Sequence, residues 1–478
     1  MKKYLILCAA LLTAVVVNAA DKLTLKAITG GEFSPQRVYG VNPIEGSDRY
    51  ASISGDGKRI VEYSFKTGQE TGVLFDVEKT QGEKIERFDG YVMSPDGTRM
   101  LIQTNTEPIY RRSFKADYYI YTIKSRKLER LSDGGKQQVP LWSPDGLQVA
   151  FVRDNNLFLV KLLYDNAESQ VTKDGKFNEV INGIPDWVYE EEFEYNRAFC
   201  FTADGTMLCW VRFDEKAVRE YSLQFFQGMK PQRAEYELYP GFYSYKYPKA
   251  GEVNSTVTAW SFDIKSRQTR QLQVPVDADG YLPRILPMSE PDKVIVASMN
   301  RHQDVLNLYT VNARSTVAQL LIKESVPKYV KEDVLGQMIV GKSHILLPSD
   351  RDGYMHLYLY TMNGTQDRKI GDGQYDITDV YGYNELTGDV FYQAATKSAR
   401  DRQVFVNHKN GKTECLTNQD GWNSAVFSGD YQFFLNTWSD ANTPYVFTVR
   451  DQKGRILSTR VDNADLKAKL ANYELGTK

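Results

Sequence analysis

From Tyr50 onward, short apolar runs alternate with polar turns at a spacing of about 40–50 residues. Each unit opens on a brief β run and turns through a Ser-x-Asp-Gly type sequence. It then continues in alternating apolar residues, a polar loop and a tyrosine-rich strand. The turns are Ser54-Gly55-Asp56-Gly57, Ser94-Pro95-Asp96-Gly97, Ser143-Pro144-Asp145-Gly146 and Thr202-Ala203-Asp204-Gly205. Degenerate versions stand at Ser289-Glu290-Pro291-Asp292, Thr387-Gly388-Asp389 and Ser428-Gly429-Asp430. Hairpin geometry explains the composition: proline presets the turn, aspartate caps it and glycine takes the positive φ. Units begin near residues 50, 90, 139, 198, 283, 336, 379 and 424. The sixth has the alternating run His356-Leu357-Tyr358-Leu359-Tyr360 but no clean turn of this type. The pattern predicts an all-β fold, a β-propeller of about eight four-stranded blades.

The breaks in that pattern are the informative places. Pro185 and Asp186 read as a helix start, with proline ending a strand and aspartate accepting from the open N–H groups of a first turn. The helix that follows runs Trp187-Val188-Tyr189-Glu190-Glu191-Glu192, and at about 100° per residue Glu191 and Glu192 flank one sector. Two carboxylates converging there can hold one small cation, most simply a primary ammonium with its three donors. A solvated acidic turn is the other reading of the same run. A second break, Asp214 to Glu252, swells the fourth unit with tyrosine-rich sequence before its strands resume at Val257. A third is a short C-terminal helix from Asn463 to Ala471, with Leu466 and Leu470 on one face.

The N-terminus departs from the pattern too. Lys2 and Lys3, an apolar run from Leu5 to Val17 and Val17-Asn18-Ala19 make residues 1–19 a secretory signal peptide, too short in its apolar part to span a bilayer. Leu7 before Cys8 does not suit a lipid anchor. The mature chain is expected to be exported, periplasmic or extracellular, with no membrane span.

Composition narrows the functional classes. A net charge of −2 over 478 residues, without a long basic block, makes nucleic acid and anionic membranes poor partners. Beyond the signal peptide the cysteines are Cys200, Cys209 and Cys415, so this is no disulfide scaffold. With a two-residue turn at Asp204-Gly205, Cys200 and Cys209 face each other and a cross-strand disulfide is possible; a bulge would make them miss. The histidines, His302, His344, His356 and His408, are isolated within separate repeats. No Gly-x-Ser-x-Gly elbow and no metal-ligand spacing occurs, so neither a catalytic serine site, a metal nor a cofactor is expected in this chain. The Ser-x-Asp-Gly turns lack the closing tryptophan of a sialidase Asp-box.

Three stretches carry a resemblance. Asp186-Trp187-Val188-Tyr189-Glu190-Glu191-Glu192 resembles the acidic helix of the dipeptidyl peptidase IV family in the prolyl oligopeptidase clan. Tyr247-Pro248-Lys249-Ala250-Gly251-Glu252-Val253-Asn254 resembles that family's Tyr-Pro-Lys-Ala-Gly-x-x-Asn segment. Arg111, in Tyr110-Arg111-Arg112-Ser113-Phe114, is a looser match. The resemblance runs from about Leu23 to the last residue and covers the family's propeller.

It implies a lead-in segment over 20–49, a propeller over 50–460 whose arm at 214–252 makes a homodimer, the other reading of that insertion being a long surface hairpin, and an exit helix over 461–478. That helix would lead toward an α/β-hydrolase domain expected to be absent here. The family's activity is that of a secreted serine exopeptidase removing N-terminal dipeptides with proline or alanine second. By resemblance, Glu191 and Glu192 bind the free α-ammonium of a peptide and Arg111 its carbonyl. The catalytic residues belong to the other domain, and the chain alone is expected to be inactive. Around Lys328-Tyr329-Val330-Lys331 the sequence departs from the family's second-pocket pattern, and no residue is carried over there. Two alternatives stand beside this: a stand-alone periplasmic propeller acting as a binding or scaffold module, and a tripeptidyl peptidase of the same architecture. Two adjacent ammonium-holding carboxylates favour the dipeptide length over the latter.

Overall fold

A computed structural model describes residues 21–225, 238–331 and 333–475. The expected signal peptide, residues 1–19, lies outside the described residues, as does Phe226 in the insertion. Among the described residues, no helix is long and apolar enough to cross a membrane.

The repeats form eight four-stranded antiparallel blades in a propeller ring, and blade two carries a fifth edge strand, Gln81–Gly82, parallel to Lys127–Arg130. The turns repeat one hydrogen-bond device. In the first, the Ser54 hydroxyl donates to Asp56 at 2.6 Å, Asp56 accepts from the Lys58 N–H, and the same hydroxyl accepts from the Arg59 N–H. Gly57 sits at φ +68°. The Ser94, Thr202 and Ser428 turns repeat the hydroxyl-to-aspartate bond at 2.6 Å. This satisfies the polar groups of these turns locally, so these hairpins close without help from their neighbours.

Burial explains why the alternation is imperfect. Middle strands are covered on both faces by adjoining blades, and Val294 to Met299 is buried throughout. Outer strands such as Thr269–Gln271 are exposed. The core is accordingly a series of seams between blades. Leu101, Tyr118 and Ile120 of blade two pack on Trp142, Val149 and Phe151 of blade three. The largest seam joins blades four, five and six, with Val211, Ile295 and Ile345 among its members.

Ring closure needs no exchanged strand. Blade one is built from Asn42–Pro43, Arg49–Ile53, Arg59–Ser64 and Glu70–Asp76, and blade eight from Trp422–Phe427, Phe433–Asp440, Thr443–Asp451 and Ile456–Val461. Phe65 packs against Leu435, Phe447 and Val449 across the closing seam. Arg460 ties it with hydrogen bonds to the carbonyls of Thr67 (2.6 Å) and Phe65 (3.1 Å). Burying each of those side chains is worth about 1.5–3 kcal/mol, so apolar packing is the main closure force.

Two boundaries differ from the sequence expectation. The first strand of blade one is Asn42–Pro43, inside the expected lead-in. Blade four begins at Val180, because its first strand is split: Val180–Asn182 and Phe199–Phe201 both pair with Met207–Asp214. The intervening excursion hid the earlier half. The lead-in also meets the C-terminal segment. Glu32 pairs with Lys469 at 2.9 Å, Phe33 meets Tyr473 edge-on at 5.0 Å, and Gln36 and Asn463 exchange hydrogen bonds.

Candidate functional site

Blade four's excursion carries the acidic helix. Its neck is closed where Ala198 N–H donates to the Gly183 carbonyl at 2.8 Å. Gly183 has φ +78°, and a Cβ there would meet Leu157 Cδ2 at 2.8 Å, so glycine is needed both for conformation and for room. The helix spans Trp187–Glu192 and starts where the proline and aspartate predict. Asp186 caps it, accepting from the Tyr189 N–H at 3.0 Å and from the Ser255 hydroxyl at 2.6 Å. Burial raises the Asp186 carboxyl above its ordinary value, against those hydrogen bonds.

Tyr189 fixes the helix from below. It is buried among Phe193, Phe213 and Tyr281, and its hydroxyl accepts from the Leu282 N–H at 3.0 Å. At the other end the buried Arg284 donates to the Phe193 carbonyl at 2.6 Å and lies 4.4 Å over the Tyr195 ring. A cation at a helix C-terminus is favoured by the open carbonyls there.

Of the three predicted site residues, Arg111 and Glu191 are in direct contact. Arg111 sits in the hairpin loop between Arg99–Pro108 and Phe114–Thr122 of blade two. Its Nε lies 2.7 Å from Glu191 Oε2. The approach is close but off the hydrogen-bond direction, and Glu191 Oε2 is enclosed without an aligned donor. Glu192 follows on the same helix, its residue exposed. Glu190 was not singled out from the sequence. It is buried and grips the Arg111 loop, a contact between blades that local sequence carries no sign of.

The second resembling motif also reaches the helix. Tyr247 stacks on Trp187 with ring centroids 3.8 Å apart, and Tyr110 approaches Trp187 at 6.0 Å. From Tyr247 the aromatic contacts continue to Tyr221 and Tyr245 in the hairpin Glu220–Phe225 and Gly241–Lys246, the described part of the arm. Buried polar atoms without a hydrogen-bond partner gather here: Ser113 Oγ, Trp187 Nε1, Glu191 Oε2, Tyr195 Oη and Asn254 Nδ2. Buried polar atoms of folded proteins are mostly hydrogen-bonded, so these five call for a partner.

Other groups stand apart from this constellation. A cavity of about 520 Å³ between blades seven, eight and one is lined by Asp379, Tyr381 and Phe427 and contains none of the motif residues. Cys200 and Cys209 do sit opposite each other across the ladder, both as buried free thiols. Burial pushes the Cys200 thiol up to about 12. Glu215, at the root of the arm, is buried and pushed up to about 8 by burial and by the nearby Asp186 carboxylate, with Lys246 opposing. Among the described residues, no group of His, Cys, Asp and Glu is arranged to hold a metal ion.

Residues 94–445 match the family described as the dipeptidyl peptidase IV (DPP IV) N-terminal region. Probable dipeptidyl-aminopeptidase B of Emericella nidulans is 29% identical, over 96% of this chain and 54% of its own length. Probable dipeptidyl peptidase 4 of Aspergillus flavus is 27% identical, over 95% and 59%. The chain thus spans little more than half the length of these curated relatives. Among solved structures, Porphyromonas gingivalis dipeptidyl peptidase 4 superposes with a TM-score of 0.88 at 36% identity, covering 95% of this chain and 64% of that one. A putative dipeptidyl aminopeptidase IV from Bacteroides ovatus shares the fold at TM-score 0.68 and 19% identity, covering 92% and 62%.

Proposed function

Because the chain belongs to the dipeptidyl peptidase IV family, matching its N-terminal region, we propose that it is the substrate-binding and gating propeller of a secreted exopeptidase of that type. The reaction removes X-Pro or X-Ala dipeptides from free N-termini. Glu191 and Glu192 receive the peptide's α-ammonium, which fixes the cut two residues in, and Arg111 orients the first carbonyl. The nucleophile, its base and the oxyanion hole are supplied by an α/β-hydrolase domain, toward which the lead-in and exit segments face. The insertion at 214–252 pairs two copies.

The observation that carries this reading is Glu191. Its Oε2 is enclosed yet lacks an aligned donor, 2.7 Å from a guanidinium whose side chain is 64% exposed. An ammonium can supply the missing directed bond while Arg111 remains free to turn toward a carbonyl. The test is titration of the chain with a free-amino peptide carrying proline second, and with its N-acetylated twin. Preference for the free amine, lost in Glu191→Ala, is expected. Equal binding of the two peptides would remove the reading.

A further inference from the structure

Of the three consecutive carboxylates after Tyr189, the first faces away from the expected ammonium. Glu190 is 6% exposed, and its Oε1 accepts two 2.8 Å hydrogen bonds, from the backbone N–H groups of Arg112 and Ser113. The grip is reciprocated. Arg112 Nη1 donates to the Glu190 carbonyl at 3.2 Å, and Asn196 Nδ2 donates to the Arg112 carbonyl at 2.8 Å. Arg112 Nη2 also pairs with Glu194 at 3.0 Å. Both backbone polar groups of Arg112 are therefore held by the excursion of another blade, 78 residues away in sequence at the Glu190 contact.

Arg111 is the residue immediately before these anchors. Its own tie to the helix is the pair with Glu191, mostly exposed on the arginine side, and a pair of that kind does not fix a loop tip. Charge-assisted bonds from a buried carboxylate to two backbone N–H groups do. Glu190 and Glu191 are adjacent in one helical turn, so the anchor of the loop and the group that meets its guanidinium move together.

We propose that Glu190 is a positioning residue that locks the Arg111 loop of blade two onto the acidic helix of blade four, presenting Arg111 and Glu191 to a peptide N-terminus as one preformed unit. The role rests on the peptide-binding reading above. It divides the three carboxylates between two roles, since one holds the loop and two face the ligand. The alternative, that Glu190 is an interchangeable member of an acidic run, predicts no effect on a loop in a different blade.

The test uses the full chain and two readouts, amide hydrogen exchange across residues 109–116 and titration with a free-amino Gly-Pro tripeptide. Glu190→Ala is expected to speed exchange at Arg112 and Ser113 about tenfold or more, and to weaken the peptide about tenfold, from loss of two charge-assisted bonds. Glu190→Gln keeps an accepting oxygen and is expected to restore both partly. Glu191→Ala is expected to weaken the peptide while leaving loop exchange unchanged. Native exchange in Glu190→Ala, or a freed loop with native peptide affinity, overturns the proposal. Should Glu190→Ala fail to fold, Glu190→Gln decides: intermediate values support the role and wild-type values overturn it. Binding that ignores both the free amine and Glu191 overturns the peptide reading instead, and the exchange data still report whether Glu190 holds the loop.

Discussion

Removing Glu191 should separate ligand binding from stability in a way that few other substitutions here would. In the unbound chain its partner is Arg111 at 2.7 Å, with side chains 23% and 64% exposed respectively. A pair that open to solvent contributes about 0–1 kcal/mol, so Glu191→Ala should move the unfolding temperature very little. For an enclosed ligand ammonium the cost is larger. Truncating one member of a desolvated, hydrogen-bonded charge pair loses about 2–5 kcal/mol, roughly 30- to several-thousand-fold in affinity. Glu192→Ala should lose a comparable amount, and the double variant less than the two losses combined, because both groups act on one ammonium. Titration calorimetry with a free-amino peptide and its N-acetylated twin, beside thermal unfolding, measures both sides. A peptide α-amino group has a pKa of about 7.7–8.0, so wild-type affinity should fall about tenfold per pH unit above that. Native affinity in both single variants, or a large drop in unfolding temperature with unchanged affinity, would refute the assignment and leave the helix as a solvated turn.

Deleting the arm across 214–252 should convert a dimer to a monomer in sedimentation, since Leu223, Leu238, Tyr239 and Phe242 expose apolar surface there; an intact chain that is monomeric at high concentration opposes it. Cys200 and Cys209 stand in register, so oxidising conditions should close a disulfide between them, read as a loss of about 2 Da on the peptides that contain them. Complete alkylation of both after denaturation of oxidised protein would show that register alone does not close the bond. Glu215 holds its proton to about pH 8 when folded, whereas an unfolded glutamate releases it near 4.5. The folded state therefore binds the extra proton between those values, and stability should fall as pH rises through that window, by up to about 1.4 kcal/mol per unit. Glu215→Gln should flatten the slope in melting experiments from about pH 5 to 9, and a wild-type melting temperature constant from about 5.5 to 8 would contradict this.

The blades were legible because each hairpin is a local object. Ser54, Asp56 and Gly57 settle their own turn within six residues, and the Ser94, Thr202 and Ser428 turns repeat the hydroxyl-to-aspartate bond. Starts near residues 90, 139, 283, 336, 379 and 424 fall within a few residues of observed first strands. Blade one starts earlier than the pattern suggests because Asn42–Pro43 is a two-residue strand and the Ser54 turn follows the second strand of this blade rather than the first. Blade four was placed late for a different reason. Its first strand resumes at Phe199 after leaving the ladder at Gly183, and the Val211 contacts, N–H from Gly183 and N–H to Ala198, join the two halves together with the Ala198–Gly183 bond at the neck.

The site was legible in its parts and illegible in its assembly. Asp186 reads as a helix start and caps the observed helix, because capping follows from local geometry. Nothing local joins Arg111 to that helix. Blade three separates the two segments in sequence, and the joining group, Glu190, looks identical in the sequence to the two carboxylates beside it. What distinguishes it is direction: at about 100° per residue, one helical turn sends Glu190 toward the backbone of Arg112 and Ser113 and brings Glu191 to the Arg111 guanidinium. A propeller suits this division of labour. Its blades supply rigid walls from local sequence, while a loop from one and an excursion from another meet to form the candidate site.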